Sequence, residues 1–158
     1  MLGVVLAAHG EVAKALLKAA EGIVGPLPGV EALTLQSGEN PEAMRARLVD
    51  AVRRIDDGTG VVMMCDMFGG TPSNVCLSTE CGTSVEVVTG VNLPMVVKLA
   101  TIRAEELPVR EAAMQLAAYG QRHVTHATEL LRERRRQAGE APCAPRPAPT
   151  GVTAAPVR

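Results

Sequence analysis

The sequence predicts an α/β fold: an open, doubly wound, mostly parallel sheet with helices on both faces. Three observations carry this. Short uninterrupted apolar runs recur along the chain, as strands buried on both faces require. Segments with apolar residues at helical spacing separate those runs. Asn or Thr followed by Pro marks helix starts, and Gly marks helix ends.

The elements follow in chain order. Gly3–Ala8 is a buried strand, and Glu11 to about Val24 places Val12, Leu16, Ala19, Ala20 and Ile23 on one helical face before Gly25-Pro26 stops it. Val30–Leu35 is the second strand. Asn40-Pro41 opens the second helix, with Met44, Leu48, Val52 and Ile55 inward and Gly58 and Gly60 beyond its end. Val61–Cys65 is the third strand, and Thr71-Pro72 opens a helix to about Glu80. Ser84–Val88 is the fourth strand. Pro94–Ile102 and Pro108–Tyr119 are two further helices. Arg122–His126 fits a short antiparallel edge strand, and Ala127–Gln137 a terminal helix. From Ala141 the sequence APCAPRPAPTGVTAAPVR holds five prolines, which deny a regular helix or central strand. The expected division is a folded domain over 1–138 and a disordered Ala/Pro-rich tail over 139–158.

Composition narrows the function. The chain has 158 residues, which suits one domain; 47% hydrophobic and 21% charged residues are enough to build a core. A net charge of −1 gives no electrostatic footprint for nucleic acid or an anionic membrane. No apolar run approaches the roughly 18–20 residues of a membrane span, and Met1-Leu2-Gly3-Val4 lacks the charged start of a signal peptide. Aromatics are 1%, too few for stacking platforms on single-stranded nucleic acid. Cys65, Cys76, Cys81 and Cys143 form no CxxC pair, so reduced thiols in the cytoplasm are expected, with no metal and no cofactor.

In such sheets ligands bind at the carboxyl ends of strands. That rule selects His9-Gly10, then Asp66-Met67-Phe68-Gly69-Gly70-Thr71-Pro72, then Thr89-Gly90-Val91-Asn92-Leu93-Pro94. His9 is a titratable nucleophile beside a glycine that permits a tight turn. Asp66 is placed to accept a hydrogen bond from one imidazole nitrogen and leave the other as a lone-pair nucleophile. Gly69-Gly70-Thr71 leads into a helix N-terminus, where unobstructed N–H groups suit an anion. Together they suggest phosphoryl transfer through phosphohistidine. Each also has an ordinary reading: a strand-end histidine is more often structural, an Asp there commonly caps a turn, and Gly-Gly-Thr-Pro is a plain loop-to-helix connection. The joint placement brings the two readings level. Neither G-x-x-x-x-G-K-[ST] nor an early G-x-G-x-x-G is present, which counts against nucleotide and dinucleotide folds. His123 and His126 lack a partner at metal-ligand spacing. Arg132 and Arg134–Arg136 read as a solvated helix end, Cys76 and Cys81 as small packing residues.

Ala8-His9-Gly10, Asp66 through Asn74, and Gly90-Val91-Asn92-Leu93-Pro94-Met95 together resemble the enzyme IIA domain of the mannose/fructose/sorbose family of the bacterial phosphoenolpyruvate-dependent sugar phosphotransferase system (PTS). The resemblance covers roughly residues 1–130. It implies that His9 takes a phosphoryl group from phospho-HPr and passes it to a IIB protein. Asp66 would be its carboxylate partner, Gly69, Gly70 and Thr71 would surround the phosphate, and Gly10, Phe68 and Asn92 would line the site. It also implies a homodimer that exchanges a C-terminal strand, for which Arg122–His126 is the candidate. The Ala/Pro-rich tail resembles the linker that joins IIA to IIB in fused members; the chain is expected to end within it, without a IIB domain. A standalone regulatory phosphoprotein and the phosphocarrier subunit of dihydroxyacetone kinase are the alternatives. Intact Phe68–Pro72 and Gly90–Pro94 segments favour the mannose type.

Overall fold

The computed structural model describes residues 1–36, 38–67, 71–77 and 84–139, with the backbone alone for 71–73. Phe68, Gly69, Gly70, Cys81 and the tail from 140 lie outside the described residues. The chain divides into two units, one from Met1 to Val124 and a second beginning at Thr125.

Among the described residues the first unit holds four strands: β1 (Gly3–His9), β2 (Val30–Leu35), β3 (Val61–Cys65) and β4 (Val85–Thr89). They form an all-parallel sheet in the order β2-β1-β3-β4. Its described helices are α1 (Val12–Val24), α2 (Pro41–Ile55), α3 (Thr71–Leu77), α4 (Leu93–Ile102) and α5 (Val109–Arg122), with a 3-10 turn over Arg103–Glu105. All four predicted strands are present. β4 starts one residue later than expected and runs to Thr89, which pairs with Cys65.

Strand periodicity sorts the core into two layers. Along β1 and β3, Val4, Leu6, Ala8, Val62 and Met64 face the layer that contains residues of α1, α4 and α5. Val5, Ala7, Val61, Met63 and Cys65 face the layer of α2 and α3. Both central strands are therefore apolar up to His9 at the end of β1, because neither has a solvent face. Each fully buried Leu, Val or Met contributes about 1.5–3 kcal/mol of transfer free energy.

The helix starts obey the sequence signals. Asn40 Oδ1 accepts the N–H groups of Glu42 (2.8 Å) and Ala43 (3.4 Å), and Pro41 occupies a first-turn position that needs no donor. Asn92 Oδ1 accepts from Met95 N–H at 3.2 Å at the start of α4.

The expected edge strand at Arg122–His126 is not formed. Arg122 closes α5, and His123–His126 join no sheet. The reason is local. The α5 end is held helical by Asn92 Nδ2, which donates to Gly120 C=O at 3.2 Å. His123 Nδ1 lies 2.8 Å from Tyr119 C=O, and the two rings stack with centroids 4.1 Å apart. These contacts keep the chain helical through Arg122 and turned at His123, and 124–126 run on to α6 without regular structure. In the second unit, α6 (Ala127–Gln137) forms as expected; Glu129 pairs with Arg132 and Arg136, and no α6 residue is buried.

Candidate functional site

The strand order reverses direction between β1 and β3. β1 connects through α1 to β2 on one side, and β2 returns past it to β3 on the other. The carboxyl ends of two adjacent strands whose helices leave in opposite directions form a crevice, where ligands of doubly wound sheets bind. His9 ends β1, and Asp66 follows the last residue of β3. Ala7 pairs with Cys65 across this gap, so the two side chains meet because the register brings them together.

The contact between them is closely specified. His9 Nδ1 lies 2.9 Å from Asp66 Oδ2 and 3.1 Å from Oδ1. The His9 main-chain N–H also donates to Oδ2 (2.9 Å), and Met67 N–H donates to Oδ1 (2.9 Å). Burial pushes the Asp66 carboxyl up, but the His9 N–H, the His9 ring and the Met67 N–H outweigh it, and the group titrates below its usual value. An ionised carboxylate requires a donor at Nδ1, which leaves Nε2 as the nitrogen with the lone pair in the neutral ring. Nε2 has no hydrogen-bond partner among the described residues, and the His9 side chain is 34% exposed. The arrangement therefore fixes one nitrogen, presents the other and holds a negative charge behind the ring, the geometry of an activated nucleophile.

Gly10 has φ +53°, a conformation that side-chain-bearing residues adopt at a cost, and an added Cβ would meet nothing within 4 Å. Its role is to turn the chain from β1 into α1. The α1 start carries a feature absent from the sequence reading: Glu11, at its N-cap, makes no capping bond and instead pairs with Lys14. Among the described residues no side chain caps the first turn of α1, which starts three residues from His9. The lack of Ser, Thr, Asp or Asn at positions 10 and 11 is the signal that marks this.

Of the other predicted residues, Thr71 begins α3, and Phe68, Gly69 and Gly70 lie outside the described residues. Asn92 stands at the β4 end, but both ends of its amide are engaged, in capping α4 and in holding Gly120. It borders a cavity of about 190 Å³ with Thr89, Gly90, Met95, Gly120 and Val124. No cluster of three or more metal-ligating side chains occurs among the described residues, and none of their helices is long and apolar enough to cross a membrane.

The family model described as PTS system fructose IIA component (EIIA-man) matches residues 3–118. The chain is 29% identical over 150 residues to the PTS system mannose-specific EIIAB component of Escherichia coli K12, covering 94% of this chain and 46% of that protein. It thus spans about half the length of that relative. It is 26% identical over 132 residues to the PTS system fructose-specific EIIA component of Bacillus subtilis, covering 83% and 90% of the two chains. The solved mannose/sorbose-specific IIA subunit from Enterococcus faecalis superposes with a TM-score of 0.69 at 27% identity, over 78% of this chain and 92% of that one. The match over residues 3–118, on a sheet whose strand ends bring His9 and Asp66 together, makes this chain a member of the mannose/fructose-type enzyme IIA family of the phosphotransferase system.

Proposed function

We propose that this chain is a cytoplasmic phosphoryl carrier: His9 accepts a phosphoryl group from phospho-HPr and passes it to a IIB protein for sugar uptake. The observation that carries this is the 2.9 Å contact of His9 Nδ1 with Asp66, which puts the lone pair of the neutral ring on Nε2. In the proposed transfer the Nε2 lone pair forms the new N–P bond as the N–P bond of the donor histidine breaks. Nδ1 keeps its proton throughout, and Asp66 stabilises the positive charge that develops on the ring. Onward transfer reverses these steps, with a nucleophile of the IIB protein attacking phosphorus. Catalysis is positioning and electrostatics, since the phosphoryl group brings its own reactivity.

Asp66 also repels the incoming phosphoryl oxygens, so the site needs compensating donors. The uncapped first turn of α1 supports this, and in this reading Gly69, Gly70 and Thr71 add N–H groups at the start of α3. Val12 and Met67, each close in sequence to a site residue, are 44% and 56% exposed, and they provide an apolar rim for a docking protein. The reading includes a homodimer, for which exposed Leu130 and Leu131 of α6 offer apolar surface.

The test is labelling with phosphoenolpyruvate, enzyme I and HPr. One acid-labile phosphate per chain is expected, mapped to His9, and none in His9→Ala. Undiminished labelling of that variant would remove the proposal. His9 is partly exposed, so the variant is expected to keep its fold.

A further inference from the structure

Two thiols face one another immediately behind the site. Cys65 ends β3, one residue before Asp66, and Cys76 lies on the inner face of α3. Their sulfurs are 3.2 Å apart, both thiols are free, and each residue is 1% exposed.

We infer that Cys65 and Cys76 form an oxidisable dithiol, closed to an intrachain disulfide by hydrogen peroxide, and that closure slows phosphoryl acceptance at His9. The second half rests on the phosphoryl-carrier reading; the first does not.

The geometry favours closure within the chain. A disulfide needs an S–S distance of about 2.05 Å, so the sulfurs must approach by roughly 1.1 Å. The thiol of Cys65 donates to Cys76 Sγ. That shared proton, with burial, pushes the Cys65 thiol up, and the same hydrogen bond draws Cys76 down, so Cys76 is the sulfur that reacts first. Asn74 and Leu77 on the same helix are exposed, so α3 carries Cys76 on its buried face and solvent on the other. The Cys76 sulfur attacks one peroxide oxygen and the O–O bond breaks; the hydroxide released takes the Cys76 proton and leaves as water. The Cys65 sulfur then attacks the Cys76 sulfenic acid, and the S–O bond breaks. The second hydroxide leaves as water with the Cys65 proton. Two thiols lose two electrons, and peroxide gains them.

Closure must move one of two elements. Cys65 is fixed in the sheet between Ala7 and Thr89, and its C=O accepts from Val91 N–H at 2.9 Å. The displacement therefore falls on α3, whose first residue, Thr71, belongs to the proposed phosphate cradle. In a reducing compartment such a bond would be transient, as redox-sensing disulfides are.

The test uses the full chain carrying Cys81→Ser and Cys143→Ser. After peroxide treatment, intact mass and alkylation in denaturant are expected to show the loss of two hydrogens and of both thiols. In denaturant the product should have the mass of one chain, with no interchain disulfide, and dithiothreitol should restore it. Cys76→Ala in the same background is expected to form no crosslink. Thiols that stay free, disulfide-linked dimers, or sulfinic acid as the main product would overturn the site. The initial rate of phosphate uptake from phospho-HPr is expected to fall about tenfold on closure, to recover on reduction, and to be unaffected by peroxide in Cys76→Ala. An unchanged rate in fully crosslinked chain would overturn the coupling. A reduced chain that takes up no phosphate at all would count against the carrier reading instead, and the mass measurement would still decide the disulfide.

Discussion

The ends of β3 and β4 each carry a polar side chain at the carboxyl edge of one sheet, Asp66 and Asn92, and they use their hydrogen bonds in opposite ways. Asn92 turns inward on its own scaffold: Oδ1 caps α4 through Met95 N–H, and Nδ2 ties α4 to the end of α5 through Gly120 C=O. Asp66 gathers donors from β1 and passes their effect to a ring whose far nitrogen has no partner among the described residues. Position at the edge of a doubly wound sheet is therefore not sufficient for chemistry. A polar group whose donors and acceptors are all engaged is a fastener, and a group that leaves valence exposed beside it is a candidate reagent.

The contrast predicts opposite mutational signatures. The largest effect belongs to Asp66→Asn, which keeps the shape and removes the charge. Transfer from phospho-HPr should slow by roughly 10- to 1000-fold, about 1.4–4 kcal/mol of barrier, with the fold retained. Stopped-flow rates at saturating donor measure this; a wild-type rate would make Asp66 a fastener too. Asn92→Ala should show the reverse, losing about 1–2 kcal/mol of stability in urea denaturation, with transfer changed by no more than roughly threefold. A large kinetic loss in a stable Asn92→Ala protein would place Asn92 in the site after all.

A pH series sharpens the same comparison. The Asp66 carboxyl titrates below its usual 3.8 in the folded chain, so its stabilisation is present above that unfolded-state value and is lost as pH falls through the lower folded one. Urea midpoints of wild type and Asp66→Asn should therefore differ at pH 5 and converge toward pH 2. Differences that stay constant with pH would remove the ionic part of the contact. The smallest effect is expected from ending the chain at Gly139. Residues 140–158 lack the composition to build a core, and labelling of His9 and the thermal midpoint should both stay within error. A loss of either would show that those residues belong to the folded domain.

Much of this architecture is legible in the one-dimensional pattern because the relevant physics is local. Continuous apolar runs at Gly3–Ala8 and Val61–Cys65 imply strands covered on both sides, and Asn40-Pro41 implies a helix start, from residues within one turn of each other. His9 and Asp66 are legible because both stand at strand ends, a rule that needs only the fold class.

What the sequence by itself determined is the order of elements, their faces and the chemical types gathered at one edge, since propensity, periodicity and capping act over a few residues. The tertiary structure decided which of those types meet. The order β2-β1-β3-β4 and the register of Ala7 with Cys65 bring a carboxylate 57 positions downstream onto His9 Nδ1. The packing of α3 on the sheet sets Cys76 against Cys65, a contact that no spacing encodes. Gly120 is held by Asn92, and a Cβ there would lie 2.5 Å from Met95 Sδ, so α5 keeps its helical course to Arg122, the first residue of a stretch whose isolated pattern also fits a strand. Contacts between residues far apart in the chain depend on how whole layers stack, and that competition is settled only when the core closes.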